Sequence, residues 1–127
     1  MQIDSCHFGI HVHSLAEAQA FYVDILGFEI LQLTPAINLL AVRAGSVRIS
    51  IFADATREQV TAAAKTGGQI IFRTASLDRT IEGLRTAGLE VSAVTEAPGF
   101  MKFIALSDPS GNRVEIADYL RDPLGKV

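Results

Sequence analysis

The chain contains a faint copy of itself, offset by 62 residues. Ser14-Leu15 and Ser76-Leu77 each open a helix-like stretch, and these run on to Gly27-Phe28-Glu29-Ile30 and Gly88-Leu89-Glu90-Val91. A short apolar, strand-like run lies in front of each, beginning at His7 in one copy and Gln69 in the other. Each copy closes with two more strands. Neither half buries enough apolar surface to be stable alone, so the two are expected to pair. Pairing about a pseudo-twofold axis would bring equivalent positions together, and chemistry is expected there.

Local patterns assign the elements. In residues 6–13, Phe8, Ile10 and Val12 alternate with His7, Gly9, His11 and His13, the period-two signature of a strand with one face on a core. Ser14 and Glu17 have the spacing of a capping box. Leu15, Ala18, Phe21, Tyr22, Ile25 and Leu26 then recur at helical spacing, and Gly27 is placed as a left-handed C-cap. Strands are expected at 28–33, 37–43 and 47–53, with Ala44-Gly45-Ser46 as a hairpin turn. Asp54 or Thr56 caps a short helix over Arg57–Lys65, ended by Thr66-Gly67-Gly68. The second half reads as strand 69–74, helix 77–87 weakened by Gly83, and strands 89–95, 100–107 and 112–118. Asp108-Pro109-Ser110-Gly111-Asn112 is a strong turn signal.

At 127 residues the chain is a single domain: module one spans 5–53, a connecting segment 54–68, module two 69–118 and a tail 119–127. The net charge of −3 argues against nucleic acid as a partner. No apolar run is long enough to span a membrane, and the N-terminus lacks the pattern of a signal peptide. One cysteine, Cys6, excludes an internal disulfide framework and fits a reducing compartment, so the expected location is cytoplasmic. Cys6 has core-facing parity and is expected to be a small buried hydrophobe.

His7-Phe8-Gly9-Ile10-His11-Val12, followed by Ser14-Leu15 and Phe21-Tyr22-Val23-Asp24-Ile25-Leu26-Gly27-Phe28, resembles the opening module of the vicinal oxygen chelate superfamily. This is the group of glyoxalase I, extradiol dioxygenases and bleomycin resistance proteins. Asp108-Pro109-Ser110-Gly111-Asn112-Arg113-Val114-Glu115-Ile116 is similar to its second signature. The resemblance implies an α+β fold in which two β-α-β-β-β modules pair into a cupped mixed sheet around a cleft. It also implies a homodimer and one divalent metal ion (Ni, Co, Mn, Fe or Zn), held by the first and last strands of each module. The repeat places those positions at His7 and Gln69 and at Ser50 and Glu115. His7 and Glu115 match the ligand types common in the family. Gln69 departs from the frequent histidine, and Ser50 is a poor ligand for a borderline divalent ion. The implied metal set is therefore His7, Gln69 and Glu115, with coordination positions left open.

Other readings stay open beside this one. Glu115 on an inward sheet face needs a partner, which is either a metal or one of Arg113, Arg73 and Arg48. His11 shares the face of His7 and is either a proton carrier or a polar wall residue. Arg48, Arg73 and Arg113 share the faces of Ser50, Gln69 and Glu115, which suggests an anionic ligand, or else they reach solvent at sheet rims. Phe52, Phe100 and Phe103 are assigned to the core before any ligand wall, and Tyr22 belongs to the packing stripe. No Ser-His-Asp order, phosphate loop or Cys-x-x-Cys pair is present, and no nucleotide cofactor is expected. Two functions follow. One is a metal-dependent lyase, isomerase or dioxygenase acting on a small anionic, oxygen-bearing substrate, with Glu115 as base and His11 as second proton carrier. The other is a metal-free small-molecule or antibiotic-binding protein.

Overall fold

A computed structural model describes residues 1–123. It resolves into two compact units, Met1–Gly67 together with Asp108–Asn112, and Gly68–Ser107 together with Arg113 onward. Residues 124–127 of the expected tail lie outside the described residues. The tail begins later than the expected 119, because Tyr119 still belongs to the last strand.

The first unit holds β1 (Phe8–Val12), α1 (Leu15–Gln19), β2 (Glu29–Thr34), β3 (Leu39–Ala44), β4 (Val47–Ala53) and α2 (Arg57–Ala64). Its sheet has the order β1-β4-β3-β2, with β1 parallel to β4 and the other pairs antiparallel. Ile10, Val12, Leu40, Val42, Ile49 and Ile51 alternate onto one face and are buried with Ala18, Phe21 and Tyr22 of the helical segment. Each of the larger ones stabilises the fold by about 1.5–3 kcal/mol.

The helix departs from a plain α-helix. After α1 it widens into a π-helix over Ala20–Ile25, where Leu26 N–H donates to the Phe21 carbonyl at 2.9 Å. Gly27, at φ 78°, ends it as expected. The Ser14 hydroxyl caps the helix by accepting from the Glu17 amide. The Glu17 carboxylate, though, pairs with His13 and with Arg57. The full reciprocal box is instead at Thr56 and Gln59, at the start of α2.

The turn Asp108–Asn112 belongs to this first unit, although in sequence it lies inside module two. The Asp108 carboxylate organises it. Oδ1 accepts from the amides of Ser110 and Asn112, both at 2.9 Å, and Oδ2 accepts from Tyr22 Oη at 2.7 Å and Asn112 Nδ2 at 2.9 Å. Asn112 Nδ2 also donates to the His11 carbonyl at 2.8 Å, and Ser110 Oγ accepts from the His13 amide at 2.8 Å. Burial, with the Asp108 carboxylate adding to it, pushes the Tyr22 phenol far above its ordinary value of 10.0, so it stays a donor. Ser110, His13 and Glu17 form a contact chain of hydroxyl, imidazole and carboxylate. Ser110 is only 3% exposed and already holds the His13 amide, so this chain fastens the turn and presents no nucleophile to a substrate.

The second unit repeats the plan with β5 (Ile70–Arg73), α3 (Leu77–Thr86), β6 (Thr95–Ala97), β7 (Met101–Ser107) and β8 (Arg113–Tyr119), in the order β5-β8-β7-β6. The strand expected over 89–95 is regular only at Thr95–Ala97. At Ser92 the side-chain hydroxyl takes the Ala105 amide at 2.9 Å, a bond that a regular ladder would give to a carbonyl. Cys6 is exposed, not buried, because β1 and its pairing with β4 begin only at Phe8. Phe100 is also exposed and stacks edge-on against Tyr119.

Candidate functional site: two polar sheet faces

In each unit the sheet face opposite the apolar one carries the residues singled out from the sequence. In the first unit, pairing sets Gly9, Ser50 and Ala41 side by side across β1, β4 and β3. A register shift between Ile30 and Gln32 adds Gln32 to the end of that row. Without this bulge Leu31 would stand opposite Ala41, so the irregularity re-aims a polar side chain onto the face. His7 lies just before β1 and is exposed. Ser50 is nearly buried at 8% exposure.

Arg48 is half-buried and held twice by this face. Its Nε donates to Ser50 Oγ at 3.2 Å, and its Nη2 donates to Gln32 Oε1 at 2.9 Å, reaching across β3 beside the small side chain of Ala41. Both partners are neutral. Directly opposite Arg48 on β3 stands Arg43, which pairs with Glu29 at 3.2 Å. At the other end of the face, His11 Nδ1 contacts Asp54 Oδ1 at 2.6 Å, with both side chains more than half exposed. The His11 and Phe52 rings lie 6.1 Å apart. Phe52 leans over Gly9 so closely that a Cβ there would come within 3.2 Å of its ring.

In the second unit Gln69 is exposed, just ahead of β5. Ile71 stands opposite Glu115 and Arg73 opposite Ala117. Glu115 is 4% exposed, and Arg113 Nε donates to its Oε2 at 3.0 Å. Of the partners that the sequence leaves open for Glu115, Arg113 is the one it contacts in this structure. Arg73 is exposed and approaches Asp122 at 3.9 Å.

The two faces share one device. Arg48-x-Ser50 on β4 and Arg113-x-Glu115 on β8 occupy equivalent places in the repeat, and in each the arginine Nε donates to the residue two positions on. Of the four positions that the resemblance implies for a metal, Ser50 and Glu115 each already hold a guanidinium. The donors on offer are one imidazole, one amide, one hydroxyl already engaged by Arg48, and one carboxylate neutralised by Arg113. This set fits a divalent ion poorly. Among the described residues, no three or more His, Cys, Asp or Glu side chains are grouped to hold a metal ion.

Sequence reasoning missed Gln32 and Asp54. Parity along β2 is broken by the bulge, so no alternation rule would find Gln32. Asp54 reads from the sequence only as one of two candidate helix caps, and Thr56, the other, fills that role.

The fold is that of a known class. Residues 5–116 match the Glyoxalase/Bleomycin resistance protein/Dioxygenase superfamily, and the chain belongs to that family. Among solved structures it is similar to a lactoylglutathione lyase from Agrobacterium tumefaciens (21% identity, 92% of this chain and 95% of that one, TM-score 0.69). It is also similar to a glyoxalase/bleomycin resistance protein/dioxygenase from Alicyclobacillus acidocaldarius (19% identity, 97% and 96% covered, TM-score 0.75). A third is TnmS3, an antibiotic binding protein from Streptomyces sp. CB03234 (20% identity, 94% and 98% covered, TM-score 0.75). No protein of curated function matches the sequence. At these identities the structural likeness shows the fold alone. Among the described residues no helix is long and apolar enough to cross a membrane.

Proposed function

We propose that this family member binds a small anionic molecule without a resident metal ion, as a homodimer. The observation that carries this reading is the paired arginine device: a guanidinium sits on Ser50 in one unit and on Glu115 in the other. A cation held at a place disfavours a second cation, and one whose partners are neutral, as Arg48 is, attracts an anion. The alternative, a metal-dependent lyase, isomerase or dioxygenase using His7, Gln69 and Glu115, has in its favour that His7 and Glu115 are ligand types used in the family.

The test is calorimetric titration of chelator-treated protein with Ni²⁺, Co²⁺, Mn²⁺, Fe²⁺ and Zn²⁺. The expected result is no stoichiometric site of about micromolar affinity or better. The Arg113→Gln variant, which frees Glu115, is expected to bind these ions more tightly than the parent. One ion per chain bound by the parent, and lost in both His7→Ala and Glu115→Ala, would overturn the metal-free reading. Light scattering of the purified protein tests the dimer.

A further inference from the structure

Although the repeat gives both units the same arginine, the two guanidinium groups are in different electrostatic states. Arg113 donates to a carboxylate, so its charge is compensated. Arg48 donates to a hydroxyl and an amide, and among the described residues it has no ion pair. It is a half-buried cation, fixed in orientation and left uncompensated. Its guanidinium has five N–H donors, and two are used by Ser50 and Gln32. Three remain, enough for a bidentate contact with an oxyanion.

Two further observations favour an anion at this place. Arg43 stands directly opposite Arg48 in the β3–β4 ladder, and like charges in that relation are unfavourable without a negative group between or beside them. Glu29 compensates Arg43 only. Arg48 lies over the row of Gly9, Ser50 and Ala41, of which Ser50 and Ala41 are buried. The next row of the face carries Phe52, which is partly exposed, with His11 beside it and the buried Leu39 opposite, so an aromatic surface adjoins the cationic one.

Resting on the metal-free reading above, we infer that the polar face of the first unit is the recognition site, with Arg48 gripping the carboxylate or phosphate of the ligand and Phe52 contacting its apolar body. Arg48 binds as a fork pre-set by Ser50 and Gln32. Pre-setting matters because a long side chain ordered only on binding gives up rotamer freedom at that moment. Arg113 takes no direct part in holding the anion.

The experiment is a titration of ¹⁵N-labelled protein, in the presence of chelator, with benzoate, phenyl phosphate and neutral benzyl alcohol. The arginine Nε–Hε signals and the Phe52 amide are followed by NMR. Saturable shifts at Arg48 and Phe52 are expected for at least one anion, and the two anion arms tell a carboxylate site from a phosphate site. Arg48→Gln is expected to weaken that anion at least about tenfold and Arg113→Gln less than about twofold. Arg48→Lys, which keeps the charge and loses the fork, is expected to fall between the parent and Arg48→Gln. Circular dichroism checks that each variant is folded. No saturable binding of either anion, equal losses in Arg48→Gln and Arg113→Gln, or benzyl alcohol binding as well as the anions would each overturn the inference. A stoichiometric metal ion found alongside an intact Arg48 effect would sink the metal-free reading and leave the Arg48 site standing.

Discussion

The two units share one topology and differ in what holds it together. In the first, a helix widened into a π-turn brings Tyr22 onto the Asp108 carboxylate, and the Asp108–Asn112 turn is fastened by hydrogen bonds to β1 and to the segment after it. In the second, no comparable buried polar network is present among the described residues, and the edge strand shrinks to three residues. Of the nine largest fully buried side chains among the described residues, seven lie in the first unit and two, Ile104 and Val114, in the second. The first unit therefore carries most of the tight packing, and it also carries the uncompensated arginine. The repeat gives both halves the same frame, and one difference sets them apart: serine against glutamate two residues after the arginine decides which guanidinium is left uncompensated.

The sharpest way to break this comparison is Asp108→Ala. The substitution leaves the Tyr22 hydroxyl and two backbone amides without their acceptor and takes one of two acceptors from the Asn112 side chain, and each unsatisfied buried donor costs about 1–3 kcal/mol. A loss of at least about 3 kcal/mol is expected in urea unfolding. A loss under about 1 kcal/mol would show that the network is not what distinguishes the first unit.

A second, smaller effect is alkaline. The folded-state pKa of Tyr22 is raised above its unfolded value, so the folded protein keeps a proton that the unfolded chain gives up. This contribution is complete below about pH 10 and is lost as pH rises beyond it, at up to about 1.4 kcal/mol per pH unit. Tyr22→Phe is expected to be less stable at neutral pH by about 1.5–3 kcal/mol and to show a flatter decline above pH 10. An equally steep decline in the variant would place the alkaline sensitivity elsewhere.

The smallest effect sharpens the picture of the second unit. Gly83 sits inside α3, and a Cβ added there would meet nothing within 4 Å. Gly83→Ala is therefore expected to stabilise the protein by about 0.4–1 kcal/mol, seen as a raised Tm. No gain, or a loss, would mean that α3 does not limit stability.

Much of the frame is legible in the sequence because it depends on short-range physics. Period-two alternation marks the first strand and its polar face, Ser14, Thr56 and Ser76 mark helix starts, and Gly27, Gly45 and Gly111 mark positions of positive φ. These signals act within a few residues and survive any tertiary context. Cys6 and the 89–95 segment depart from their sequence pattern for the complementary reason. Whether a residue with strand parity is covered, or a strand-like run joins its ladder, depends on which partner backbone lies alongside.

The site divides in the same way. Sequence alone determined the repeat, and with it the faces on which His7, His11, Arg48, Ser50, Gln69, Arg73, Arg113 and Glu115 stand. Tertiary structure alone decided that Gln32, shifted by a bulge, holds Arg48, that Asp54 pairs with His11 and leaves the helix cap to Thr56, and that Asp108 is sealed under Tyr22. The physical reason is that alternation and capping are set by neighbours along the chain. The charge state of a guanidinium's surroundings is set by whatever side chains long-range pairing brings within hydrogen-bond reach.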